Sequence, residues 1–222
     1  MRLIIDSLLS PEQLQTLRTE IQYGEWIDGQ RTAGWHAREV KRNQQLSRDD
    51  PRYLSASQQV VGLLMSHTLI QMAMRPRRIH SLLFSRYGQG MEYGRHVDNA
   101  FMGPEGRFRS DISFTIFLND PADYEGGELV MEESCEEQSY RLAAGSILLY
   151  PSSSLHRVNP VTQGERLVCV GWIESGVRDP RHREILFDID TVRRELFARE
   201  GKSELFDTLS RSHSNLLRLW GE

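Results

Sequence analysis

The sequence is poor in cysteine. Cys135 and Cys169, two among 222 residues, are too few for a disulfide framework, and without C-x-x-C spacing they exclude zinc-ribbon and thioredoxin-like sites. A reducing cytoplasm is the compartment expected for such a chain. Long apolar runs are missing too. Nothing approaches the ~18 residues needed to span a bilayer, and Asp6 interrupts the opening segment where a signal peptide needs unbroken apolar sequence. Neither a membrane protein nor a secreted one is expected. There is no excess of positive charge, with 27 basic residues against 31 acidic ones, so the long-range field of a nucleic-acid binder is absent. Lysine is nearly missing, with only Lys41 and Lys202. Base composition alone accounts for such a bias. A sharper reading is that a few arginines grip carboxylates with planar forks, which lysine cannot imitate.

The chain does hold enough apolar sequence, 39% of its residues, for a substantial core. Its length is about one and a half times the ~150 residues of a typical domain. Ser10-Pro11-Glu12-Gln13 predicts a capped helix start, with Leu14, Leu17 and Ile21 at helical spacing behind it. A polar stretch with Gly29 and Gly34 reads as a hairpin or loop and runs into the charged segment Lys41–Gln45. A second helix is predicted over 51–66, with Leu54, Val60, Val61, Leu64 and Met65 on its apolar side. From about Arg75 to Ser175 the pattern changes to short β-prone runs punctuated by glycine, proline and asparagine. Asp111–Asn119 alternates strictly, setting Ile112, Phe114, Ile116 and Leu118 against Ser113, Thr115 and Phe117. Six to eight such runs predict a jelly roll. Beyond Gly176 the pattern is helical again, opened by Asp179-Pro180, and its leucine-rich faces suit either core packing or contact between copies of the chain. The fold class expected is mainly β with flanking helices (α+β), divided as 1–75 N-terminal helical support, 76–178 core and 179–222 C-terminal helical extension.

Of seven histidines, two have a carboxylate two residues later: His96-Val97-Asp98 and His182-Arg183-Glu184. On a strand, residues i and i+2 project from one face, so His96 and Asp98 could share an ion. His182 and Glu184 fall in the charged start of a predicted helix, where the same spacing separates them. A third ligand must come from a distant segment, and His156, after a strand end and a serine loop, is the candidate. Two imidazoles and one carboxylate form the facial triad of non-haem iron oxygenases, which leaves three coordination positions open. By itself H-x-D with a later histidine is a weak signal. Arg166 strengthens it, because it shares one face of the strand Arg166–Ile173 with Val168, Val170 and Trp172. A guanidinium there needs an anionic partner, either an internal acid such as Glu128 or a bound carboxylate.

The ordered set Tyr87, His96-Val97-Asp98, Tyr124-Glu125-Gly126-Gly127-Glu128-Leu129, Gly145-Ser146, Tyr150-Pro151-Ser152, Leu155-His156-Arg157-Val158, Gly164-Glu165-Arg166 and Trp172 resembles the Fe(II)/2-oxoglutarate-dependent dioxygenases of the prolyl-hydroxylase-like class. More narrowly it is similar to the bacterial PKHD-type hydroxylases, in length and flanking helices as well. The resemblance implies a double-stranded β-helix, with His96, Asp98 and His156 as Fe(2+) ligands and Arg166 on the distal carboxylate of 2-oxoglutarate. It further implies Tyr87 as a second contact to that co-substrate and L-ascorbate (vitamin C) as an accessory cofactor. The activity implied is hydroxylation with O2, releasing succinate and CO2. The substrate stays open between an amino-acid side chain and a small metabolite, the latter including one tied to iron acquisition. Phe84, Phe101 and Phe117 are the aromatic candidates for contacting it. Arg166-Leu167-Val168 departs from the Arg-x-Ser of many relatives, and prolyl hydroxylases proper use lysine at this place, which argues against copying their substrate. Two other readings of the same residues stay open: a cupin-like sensor that binds metal and carboxylate without turnover, and a zinc hydrolase or isomerase. The remaining motifs read as structure: Gly126-Gly127 as a turn, Ser152–Ser154 as loop, and Glu132, Glu133, Glu136 and Glu137 as a solvated hairpin tip.

Overall fold

The computed structural model describes residues 1–132 and 135–222, so Glu133 of the acidic turn lies outside the described residues. In chain order the N-terminal strands are β1 (Leu3–Ile5), β2 (Trp26–Asp28), β3 (Lys41–Arg42) and β4 (Gln44–Leu46). The helices α1 (Pro11–Gln22), α2 (Pro51–Ser66) and α3 (Thr68–Met74) complete this part. Then follow β5 (Pro76–Tyr87), β6 (Glu92–His96), β7 (Phe101–Met102), β8 (Phe108–Arg109), β9 (Ile112–Phe117) and β10 (Tyr124–Gly126). Next come β11 (Leu129–Glu132), β12 (Glu137–Tyr140), β13 (Ile147–Pro151), β14 (His156–Val158), β15 (Val161–Gly164) and β16 (Arg166–Ser175). Helices α4 (Pro180–Glu200) and α5 (Glu204–Trp220) close the chain.

Two antiparallel sheets dominate. The larger has the order β1-β13-β9-β16-β5-β4-β2 and the smaller β12-β11-β14-β6-β3, with β7-β8 and β10-β15 as two-stranded ribbons. The alternation in β9 sorts its side chains between two cores. Ile112, Phe114, Ile116 and Leu118 join Leu17, Ile21, Val60, Leu64 and Ile70 in the layer between the large sheet and the N-terminal helices. Phe117 faces the other way, joining Tyr87, Leu129, Met131, Tyr150, Val158 and Val168, which come from both sheets. The space between the sheets is therefore half apolar core and half open cavity.

The predicted helix starts are present. Ser10 accepts from the Gln13 backbone while the Gln13 side chain accepts from the Ser10 backbone, a reciprocal capping box. Ser10→Ala is expected to lower stability by about 1 kcal/mol, measurable as a shift in urea midpoint with unchanged slope. The second helix spans the predicted residues, but Leu54 and Met65 are exposed, and Ala56, Val60 and Leu64 carry its buried stripe. Residues 26–46 differ more from expectation. Where the sequence reads as a hairpin or loop, β2 and β4 pair antiparallel as the hairpin reading expects, but they join the edge of the large sheet, and β3 joins the edge of the small one, which the sequence did not indicate. These strands are two or three residues long and largely polar, so no apolar alternation announces them. The run Gly126–Glu132 is likewise two strands, broken at Gly126 and Gly127, both with positive φ. The acidic hairpin tip is not simply solvated: Glu132 receives Arg95 at 2.7 Å, and Glu137 receives Arg157 at 2.7 Å. The C-terminal helices pack on each other and on α3, yet Val192, Phe197, Leu205 and Leu219 stay exposed.

Candidate metal and co-substrate site

The two sheets converge on a cavity of about 560 Å³ whose lining includes Tyr87, His96, Asp98, His156 and Arg166. All five candidate residues, spread over 80 positions of sequence, thus face one space. His96 ends β6 and His156 opens β14, and the two are direct cross-strand partners in the small sheet. Their ring centroids are 4.2 Å apart. Asp98 lies two residues beyond the strand end, and one ligand atom from each of the three falls within 4.8 Å of the others.

Local hydrogen bonds fix what each group can do. His96 Nδ1 lies 2.8 Å from the Gly94 carbonyl and His156 Nδ1 lies 3.0 Å from the Ser154 carbonyl. A carbonyl only accepts, so each Nδ1 carries the proton and each Nε2 keeps a lone pair for a metal. Burial, reinforced by the neighbouring His156, pulls the His96 pKa down to about 4, which keeps its imidazole in the neutral, ligating form. Ser113 Oγ donates to Asp98 Oδ2 at 2.6 Å and lies 2.8 Å from Ser152 Oγ. The serine pair holds the carboxylate 4.0 Å from His156 Nε2. Tyr93 stacks on the His96 ring with centroids 3.6 Å apart, blocking rotation of the imidazole.

Arg166 is 1% exposed and opens β16 directly opposite Tyr87 on β5. Its guanidinium lies 5.1 Å from the Tyr87 ring and 5.6 Å from the Phe117 ring, and its Nε has no hydrogen-bond partner. The internal salt bridge to Glu128 is not formed. Glu128 turns instead to Arg141 at 3.7 Å and to the Asn159 amide. The buried Tyr124 hydroxyl is also unpaired and feels the Arg166 charge, which opposes the upward push of burial on its pKa. Burial likewise raises the Tyr87 pKa, with Arg166 again opposing. Gly127 gives the arginine its room. At φ +65° it adopts a conformation that disfavours side chains, and a Cβ there would stand 3.1 Å from Arg166 Cδ. A buried, unpaired guanidinium beside two phenols is the donor set a dicarboxylate requires.

The other candidates separate cleanly. His182 stacks on Trp220, and Glu184 pairs with the N-terminal amine, so both serve packing. Phe84 faces the helical layer against Tyr53 rather than the cavity, because it lies on the Phe114 side of the large sheet. Phe101 lines the cavity and Phe117 supports Arg166. Sequence reasoning missed Lys41, Asn43 and Gln45, which line the cavity from β3, from the residue between β3 and β4, and from β4. Their period-two polar spacing was the available signal, but without apolar residues between them it does not stand out. Ser113 and Ser152, the contacts behind Asp98, carried no signal of their own.

Residues 82–174 match the family model of the 2OG-Fe(II) oxygenase superfamily. Over its whole length the chain is 57% identical to a PKHD-type hydroxylase of Synechococcus elongatus, covering 100% of both. The chain belongs to the PKHD-type hydroxylases. Among solved structures, a Pseudomonas putida prolyl-4-hydroxylase is similar at TM-score 0.58 and 20% identity, with 78% of this chain and 92% of that one covered. A Trichoplax adhaerens prolyl hydroxylase in complex with a hypoxia-inducible-factor peptide gives TM-score 0.60 and 16% identity over 83% and 86%. These similarities concern the fold. Family membership makes this hydroxylase an enzyme and removes the readings as a non-catalytic sensor or a hydrolase. No helix among the described residues is long and apolar enough to cross a membrane.

Proposed function

We propose that this hydroxylase holds Fe(II) with His96, Asp98 and His156 and seats 2-oxoglutarate against Arg166 and Tyr87. On this reading it hydroxylates a substrate with O2, releasing succinate and CO2. The core, residues 76–178, is then a double-stranded β-helix, packaged by residues 1–75 and by the extension 179–222. One observation carries the reading: a His₂Asp cluster and a buried arginine with no ion-pair partner among the described residues line the same cavity. Bound in that cavity, Fe(II) would supply the oxidation by O2 and 2-oxoglutarate, with L-ascorbate as accessory reductant.

The chain's own residues orient and exclude. The two imidazoles are aimed by backbone carbonyls, and Asp98 is aimed by Ser113. Arg166 and Tyr87 fix the far end of the dicarboxylate, while Phe117, Val168 and Leu129 keep that end dry. No side chain is required as a general acid or base. The substrate is an amino-acid side chain or a small metabolite, one linked to iron acquisition included, met in the cytoplasm.

The test is direct. Protein purified without oxygen and loaded with Fe(II) is given 2-oxoglutarate and air, and succinate is measured with oxygen uptake. Succinate release above the metal-free control is expected, and none from a protein that binds both Fe(II) and 2-oxoglutarate would end this reading. Ser113→Ala, which frees the Asp98 carboxylate to rotate, is expected to weaken metal affinity by about 10–100-fold, read by titration with a competing chelator.

A further inference from the structure

The cavity holds a second cation that the proposed chemistry does not use. Lys41 is 3% exposed, and its ammonium has three N–H donors but, among the described residues, one hydrogen-bond partner, Thr32 Oγ1 at 3.0 Å. The Thr32 hydroxyl gives its proton to Gln45 Oε1 at 2.6 Å, and the Gln45 amide donates to Ser85 Oγ at 3.2 Å. Gln45 and Thr32 are thereby fixed, and they steer Lys41 into the cavity with two donors to spare. Asp98 and Asp28 act on Lys41 through space, opposing the burial that draws its pKa down to about 8. Neither reaches ion-pair distance. Two positions along the same polar row, Asn43 is 4% exposed; its side chain acts on the Tyr87 phenol, but among the described residues neither amide atom has a well-formed hydrogen bond. Buried polar groups so weakly met are costly unless something else meets them.

The charge of the cavity points the same way. Among the described residues lining it, Asp98 is the one carboxylate, whereas Arg31, Lys41, Arg48 and Arg166 are cations. With Asp98 given to the metal and Arg166 to 2-oxoglutarate, the remaining charge is wholly positive. Lys41 is also close to the reacting centre. Its Nζ lies 5.1 Å from the Tyr93 ring, and that ring stacks directly on His96.

We infer that the Lys41–Asn43 row of β3 and β4 is the prime-substrate site and that the substrate is an acid whose carboxylate is bound by Lys41 Nζ. Thr32 and Gln45 act as positioning residues, and Asn43 pairs with a neighbouring polar group of the same substrate. At the Lys41 position itself one ammonium with one hydroxyl beside it, and no guanidinium in hydrogen-bond contact among the described residues, matches the charge of a carboxylate better than that of a phosphate. The inference rests on the proposed metal and co-substrate site, since it is the occupation of Asp98 and Arg166 that leaves Lys41 for the substrate.

Having two lysines makes the test simple. Full-length protein carrying [ε-¹³C]lysine gives two Cε resonances, assigned with Lys202→Arg, an exposed position that leaves the cavity untouched. The protein is saturated with Zn(II) and 2-oxoglutarate and titrated with sodium acetate as the carboxylate probe, then with acetamide and with inorganic phosphate. The Lys41 resonance is expected to move saturably with acetate, while that of Lys202 stays in place and acetamide moves neither. Acetate should bind about tenfold or more tightly than acetamide, the difference one charge-assisted contact makes. A Lys41 resonance indifferent to acetate would overturn the inference, as would an equal response to acetamide or a response to phosphate alone. If 2-oxoglutarate itself fails to bind, seen from its own signals in the same samples, the co-substrate reading fails instead. The response of Lys41 to acetate is then read in the zinc form and still decides whether Lys41 takes a carboxylate.

Discussion

Asp98→Ala is expected to abolish Fe(II) binding and succinate formation together, a loss well beyond the about 10–100-fold that removal of an outer-shell contact causes. The reason is charge as much as coordination number. Asp98 is the one carboxylate among the described cavity-lining residues, and it shares the space with Lys41, Arg48 and Arg166. Without it, a dication would meet two neutral imidazoles inside a positive field, and nothing would offset its desolvation. The fold should survive, because Asp98 follows the end of β6 and accepts a hydrogen bond from Ser113, which keeps Ser152 as a partner. Metal content after anaerobic loading, succinate by NMR and a thermal melt of the same sample separate the two effects. Full turnover in this variant would remove Asp98 from the metal site. Asp98→Asn, which keeps shape and loses charge, should resemble alanine in metal content. A near-normal asparagine variant would mean that geometry, not charge, dominates.

The sequence made the centre of this site legible and its wall illegible, for a physical reason. His96, His156 and Arg166 sit at strand ends and starts in a segment whose apolar alternation is strong, so their faces follow from counting in twos, whereas Asp98 lies two residues past the end of β6 and is held by Ser113. β9 shows how far this goes: Ile112, Phe114, Ile116 and, just past its end, Leu118 join one core, and Phe117 joins the other, as the pattern implies. Phe84 marks where counting failed. It is as apolar as Phe117, and only the position of the helices decides that its face is not the cavity. The residues 26–46 form strands because neighbouring edges supply partners: Gln44 and Gln45 register against Arg86 and Ser85, and Lys41 against Tyr93. Pairing of that kind is tertiary information and leaves no periodic trace in so short a polar run. Arg166 was ambiguous between an internal and an external anion until Glu128 was found engaged by Arg141.

Arg166→Met should show effects of opposite sign in two measurements, and that pairing is what gives it force. Arg166 is fully buried, its Nε is unpaired, and aromatic rings rather than carboxylates surround the guanidinium. In the protein without co-substrate this is a desolvated charge with little compensation, so an apolar side chain of similar length should leave stability unchanged or raise it by about 1–4 kcal/mol. With 2-oxoglutarate the same substitution removes a charge-assisted pair from a dry pocket. Losing about 2–5 kcal/mol there corresponds to a rise in KM of roughly 30-fold to a few thousandfold. Arg166→Lys should fall between, keeping the charge but losing the planar fork. Urea unfolding with and without 2-oxoglutarate joins the two halves. At a co-substrate concentration about 100 times Kd the natural protein gains about 2.7 kcal/mol, and the methionine variant at that concentration should gain almost none. Had Arg166 served an internal salt bridge, its removal would instead cost about 3–5 kcal/mol without ligand and leave the KM for 2-oxoglutarate where it was. The sign of the stability change in the ligand-free protein therefore decides between the two roles before any turnover is measured.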